Sequence, residues 1–198
     1  MTDDPRDWLR RALSHPPRVS MPVGKDRESA VLLPVLRREA GATLLFVRKS
    51  QHLAKHAGQV GFPGGAIDAS DASIEAAALR EAFEEVGLRA EEVELIGRLD
   101  EDRTFVTSYH IAPVVGWVDA PPEQWRLDTG EIEGVVEVGL TEVVECEPVS
   151  WLDFTWAGVD YRAPRFEYSN GLVVWGASAR ILFNLQRRLR GAAGDPIG

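Results

Sequence analysis

One cysteine, two methionines and four histidines in 198 residues leave several classes of protein without support. A single thiol, Cys146, cannot form an internal disulfide, so a reducing cytoplasm is the expected compartment. No Cys or His set has the spacing of a zinc site. No apolar run approaches the length of a membrane span, and the start, MTDDPRDWLRRALSHPP, lacks the apolar block of a secretory signal. Positive charge is scarce too: 22 basic against 31 acidic residues give a formal charge of −9. That balance argues against general binding to nucleic acid or to an anionic membrane. Any phosphate-bearing ligand must be met by local basic groups or a metal. Repeats and low-complexity tracts are lacking as well. What remains, 44% hydrophobic and 27% charged residues, is a globular composition. The length suits one domain with terminal extensions, read as a helical extension over 1–25, a domain over 26–190 and a tail over 191–198.

The informative stretch is 58–88, GQVGFPGGAIDASDASIEAAALREAFEEVGL. Ala76, Leu79, Phe83 and Val86 recur at spacings of three and four, which predicts a helix with an apolar stripe, and Gly87 is placed to end it. Glu81, Glu84 and Glu85 then fall on the opposite side, close enough around the helix to reach one point. Without a cation this is unfavourable, because like charges at these spacings repel and acids in the last turn oppose the helix dipole. A hard divalent cation reverses both effects, and carboxylate oxygens are what magnesium or manganese prefer. The bland alternative is a solvated acidic face. The preceding Gly58, Gly61, Gly64 and Gly65 around Phe62 and Pro63 favour a site, since they let the backbone approach a ligand closely.

Residues 80–88, REAFEEVGL, together with that glycine loop resemble the Nudix box of the Nudix hydrolases. The spacing departs from the family pattern by one residue: five residues separate Gly65 from Asp71, but eight rather than seven separate Asp71 from Arg80. The resemblance implies metal-dependent hydrolysis of a diphosphate linked to another group. Magnesium or manganese would be held by Glu81, Glu84 and Glu85, and the catalytic carboxylates would come from Glu84, Glu85 and Glu131. Arg80 would be a structural partner that orients a box carboxylate. Glu131, with Glu133 next, is the candidate for an acid supplied by a later loop.

Upstream, AVLLPVL and TLLFV predict a hairpin over 30–36 and 43–47, whose second strand brings Arg48 and Lys49 to the glycine loop. With Lys55, His52 and His56 these make a basic patch in an acidic chain. The segment from Leu45 to Gly65 resembles the second motif of the coenzyme A pyrophosphatase branch of the Nudix family. Lys49 and Ala54 stand at two positions where that motif has arginine. The branch implies a small-molecule substrate, coenzyme A or a derivative, contacted by Arg48, Lys49, Lys55, His56, Phe62, Gly64 and Gly65. Alternatives are the same chemistry on ADP-ribose, NADH or another nucleoside diphosphate derivative, or a non-hydrolytic nucleotide-binding regulatory domain.

The rest of the chain predicts a helix over 4–13, packed on the domain or on a partner subunit in a homodimer. Strands are expected at 92–99, 108–118 and 131–138 with a polar turn at 100–107, then a short helix at 140–145. A hairpin at 151–156 and 161–168 precedes a final helix that starts within 172–182. Trp175 is expected in the core. Strands alternating with helices suggest an α/β fold, a mixed-sheet α/β/α sandwich, which the resemblance also implies.

Overall fold

A computed structural model describes residues 4–52, 57–104, 108–156 and 159–192. Apolar, β-branched runs with Arg37–Arg38 and Gly41 between them form the first hairpin, β1 (Arg27–Arg38) and β2 (Gly41–Lys49). Both strands bury side chains on both faces because helices cover both faces of the sheet. β3 (Val60–Gly61) and β4 (Gly64–Ala66) flank Phe62 and Pro63. They lead to α2 (Ile74–Val86), which follows α1 (Pro5–Ser14) in chain order. A 3-10 turn at Ala90–Glu92 precedes β5 (Glu94–Arg98), β6 (Asp102–Arg103) and β7 (Tyr109–Val118). β8 (Ile132–Gly139) runs directly into α3 (Leu140–Glu145). The chain closes with β9 (Ser150–Trp156), β10 (Val159–Glu167), β11 (Val173–Val174) and α4 (Gly176–Ala192).

Among the described residues the main sheet has eight strands, with β1 parallel to β7 and the other pairings antiparallel, so it is mixed. Alternation along β1 and β2 feeds two cores. Ala30, Leu32, Leu36, Leu45 and Val47 join Ala77, Ala78 and Ala82 of α2 on one face. Leu33, Val35, Leu44 and Phe46 join Leu9 of α1 and Leu182, Leu185 and Leu189 of α4 on the other. The fold is an α/β sandwich with helices on both faces of a mixed sheet. α1 packs on α4 and β5 of its own chain, with Leu9 and Ala12 fully buried and the Trp8 indole donating to the Leu189 carbonyl at 3.1 Å. Among the described residues no helix is long and apolar enough to cross a membrane.

Three expectations change. The buried face of α2 consists of Ala77, Ala78, Ala82, Glu85 and Val86, whereas Phe83 is 43% exposed. Three alanines let the helix lie close on β1, and Phe83 is instead covered by Arg126, whose guanidinium carbon lies 5.0 Å from the ring centre. Trp175 is 52% exposed; its neighbour Val174 takes the core position through the pairing of β11 with β10. The turn expected at 100–107 contains β6, which adds to the edge of β7.

Candidate active site

Where β1 and β2 diverge, the glycine stretch fills the fork. β1 pairs β2 through residues 35–38 and β4 through residues 29–31, while β2 pairs β3 at Val47 and Arg48. The Pro63 carbonyl accepts from the Leu32 amide at 2.8 Å. Phe62 anchors the stretch from below, buried and stacked on Phe46 with ring centres 5.0 Å apart. Phe62, expected among the substrate contacts, therefore faces the core. Gly64 and Gly65 are set by clearance: a Cβ on Gly64 would lie 2.5 Å from the Ala30 carbonyl oxygen, and one on Gly65 would lie 2.5 Å from the Glu81 carboxylate.

Gly64→Ala should thus cost about 2 kcal/mol or more, because a backbone atom must give way. Gly65→Ala should cost less, since only the end of a flexible side chain must move. Denaturant titration of the two variants checks the order.

α2 starts at Ser73, whose hydroxyl accepts from the Ala76 amide at 3.1 Å. It ends at Gly87 in the left-handed region, φ 74°, with the Gly87 amide on the Phe83 carbonyl and the Leu88 amide on the Ala82 carbonyl. These caps fix the three glutamates, which have different surroundings. Glu84 has a 55% exposed side chain, Glu81 15% and Glu85 4%. Burial raises the pKa of Glu81 above the ordinary carboxylate range. Burial raises Glu85 to about 7, although the Lys49 ammonium and the Gly64 amide both favour its charged form.

Two cations hold these acids. Arg80 donates to both oxygens of Asp71 at 3.0 and 2.9 Å, to Glu81 at 2.8 Å, to Glu84 at 3.0 Å and to the Ala66 carbonyl at 3.0 Å. The guanidinium fork holds Asp71 below the usual carboxylate range. Asp71 closes a turn with Asp68: its amide donates to the Asp68 carbonyl, and its carboxylate accepts from the Asp68 amide. Asp71, where the spacing departs from the family pattern, is the clamp on Arg80. Lys49 reaches Glu85 at 2.5 Å and Glu131 at 3.8 Å.

Glu131 is brought in by backbone ties. The Asp128 amide donates to the Glu85 carbonyl at 3.0 Å, the Glu131 amide to the Asp128 carbonyl at 3.0 Å, and the Ser50 amide to the Glu131 carbonyl at 2.7 Å. Glu133 is exposed on β8. Arg48 alternates with Lys49 along β2 and so falls on the Phe46 face of the sheet, away from Glu85. Lys55 and His56, like Ala54, lie outside the described residues.

Among the described residues no three His, Cys, Asp or Glu side chains surround one point closely enough to hold a metal ion. Arg80 holds Glu81 and Glu84, while Lys49 holds Glu85 and lies within reach of Glu131. The donor chemistry still suits a hard divalent cation: Glu81, Glu84 and Glu85 are carboxylates of one helix, a side chain at Gly65 would crowd Glu81, and the Lys49 ammonium already serves Glu85 as a cation. Sequence reasoning missed the role of Lys49 toward Glu85; the positive charge one residue beyond Arg48 was the only available signal.

The NUDIX domain model matches residues 26–160. The chain is 40% identical over 180 residues to the uncharacterized Nudix hydrolase NudL of Enterobacter sp. (strain 638), spanning 90% of this chain and 91% of that protein. It is 41% identical over 170 residues to the NudL of Salmonella heidelberg (strain SL476), spanning 85% and 86%. A solved Nudix hydrolase from M. smegmatis, RenU, shares the fold with a TM-score of 0.56 and 18% identity over 87% of this chain and 89% of that one. With the family model matched over residues 26–160 and relatives 40% and 41% identical along most of their length, the chain belongs to the NUDIX domain family as a Nudix hydrolase.

Proposed function

We propose that the enzyme hydrolyses the diphosphate bond of coenzyme A or its derivatives, giving phosphopantetheine and adenosine 3',5'-bisphosphate, with magnesium or manganese held by Glu81, Glu84 and Glu85. The observation that carries the pyrophosphatase reading is the buried Glu85, paired with Lys49 beside a glycine cradle and next to two further carboxylates. A bound divalent cation neutralises phosphate oxygens and acidifies an attacking water. Arg80, held by Asp71, keeps Glu81 and Glu84 oriented. Lys49 offers an ammonium to a phosphoryl oxygen at the mouth of the fork. One of Glu84, Glu85 and Glu131 takes the proton of water; Glu84 and Glu131 are both more than half exposed.

The coenzyme A assignment is supported by the FPGG run and the Leu45 to Ser50 lead-in. The same chemistry on ADP-ribose or NADH is the second reading, favoured by lysine at position 49 and alanine at position 54 in place of arginines. Turnover of coenzyme A, 3'-dephospho-coenzyme A, ADP-ribose and NADH by the pure protein, with products identified and magnesium compared with manganese, separates them. Coenzyme A should be preferred by roughly tenfold or more in kcat/KM. Preference for ADP-ribose would overturn the assignment, and undiminished activity after complete chelation would overturn the metal. Gly65→Ala, by displacing Glu81, should lower turnover in the same assay by roughly tenfold or more.

A further inference from the structure

We propose that Lys49 is a built-in counter-ion that a divalent cation must displace from Glu85, so that this lysine sets the metal affinity of the site. The inference rests on Glu85 being a metal ligand. Lys49 lies against one oxygen of Glu85, while the other faces the Gly64 amide at 3.4 Å, so a cation that takes the first oxygen must take it from the ammonium. The side chains are 4% and 21% exposed, which leaves little water to screen an ammonium from a divalent ion on the same carboxylate.

The root of Lys49 is fixed and its end is free to move. Its amide donates to the Gln59 carbonyl at 2.9 Å, its carbonyl accepts from the Gly58 amide at 3.1 Å, and the next amide, that of Ser50, is held by Glu131. The four-carbon stem beyond that anchor carries a compact charge that needs no fixed plane, unlike a guanidinium. Glu131, 56% exposed and 3.8 Å away, gives the displaced ammonium a second carboxylate at the mouth of the fork. Displacement there turns the charge from Glu85 toward the side from which a phosphate would enter. Loading the site and presenting Lys49 to substrate are then one movement.

Calorimetric titration of the metal-free protein with manganese alone, without substrate, tests this. Lys49→Met should bind manganese about tenfold more tightly than wild type, and its metal-free form should melt lower and gain more on adding manganese. Lys49→Arg, which keeps the charge, should bind no more tightly than wild type. Lys25→Met should leave the affinity unchanged. If Lys49→Met does not fold, Lys49→Gln carries the same expectation. Equal or weaker binding by the uncharged variants, with Glu85→Gln losing affinity, overturns the counter-ion and leaves the metal site standing. Unchanged affinity in Glu85→Gln overturns the metal role of Glu85, and the counter-ion with it.

Discussion

Glu85→Gln is expected to lower turnover by roughly three orders of magnitude while removing a pH-dependent weakness from the metal-free protein. The glutamine keeps the shape of the side chain but offers no negative charge, so both the metal and Lys49 lose a partner. The stability effect follows from burial. The folded protein raises Glu85 from the ordinary 4.5 to about 7, so between those values it binds the proton more tightly than the unfolded chain does. The stabilising contribution is fully present below about pH 4.5 and is lost as pH rises through 7, amounting to about 3 kcal/mol. Metal-free wild type should therefore lose stability relative to Glu85→Gln on going from about pH 5 to about pH 8. Saturating manganese should flatten that difference for wild type, because it favours the ionised carboxylate. Parallel denaturation curves across the range for both proteins, without metal, would show that Glu85 is not titrating as a buried acid. Wild-type turnover in the glutamine variant would remove Glu85 from the chemistry.

Arg80→Met is the second large expected effect, with turnover down by about two orders of magnitude and stability down by about 2 kcal/mol. The guanidinium makes five hydrogen bonds, to Asp71, Glu81, Glu84 and the Ala66 carbonyl. Methionine keeps much of the stem but leaves Asp71, whose side chain is 5% exposed, without its cation. The loop and two box glutamates then lose their common reference point. Arg80→Lys should recover part of the stability and little of the activity, since one ammonium cannot serve Asp71 as a fork and Glu81 and Glu84 as well. Asp71→Asn gives an independent check through the other partner, and it should lower turnover without touching any proposed metal ligand. Wild-type kinetics in Asp71→Asn would reduce the clamp to a surface ion pair.

The two effects differ in how much of them was legible beforehand. Arg80 as the partner of a box carboxylate is local, because residues 80, 81 and 84 share a helix and the i to i+4 spacing alone brings Arg80 to Glu84. The hairpin of β1 and β2, the strand-to-helix step from β8 to α3 and the cap at Gly87 were legible for the same reason. Each rests on residues within a few positions of one another. The buried face of α2 was not. Three alanines carry little periodic signal, and Phe83 looked like core until Arg126, brought in by the loop ahead of β8, covered it. β3 and β4 were also hidden, since strands of two and three residues exist only because β1 and β2 splay apart and leave backbone groups to pair.

The sequence by itself determined the kind of chemistry: carboxylates at the end of a capped helix, a glycine run in front of it and a basic lead-in. Only the tertiary structure decided how the charges are divided. It buried Glu85 and left Glu84 in water, turned Phe62 inward and sent Arg48 to the far face, and set Lys49 against an acid 36 residues away. Helical spacing places residues around a helix, but which side lies against the sheet depends on what fits there. Alanines fit close to β1, and the one carboxylate in their row is buried because a lysine from β2 and an amide from the glycine loop meet it.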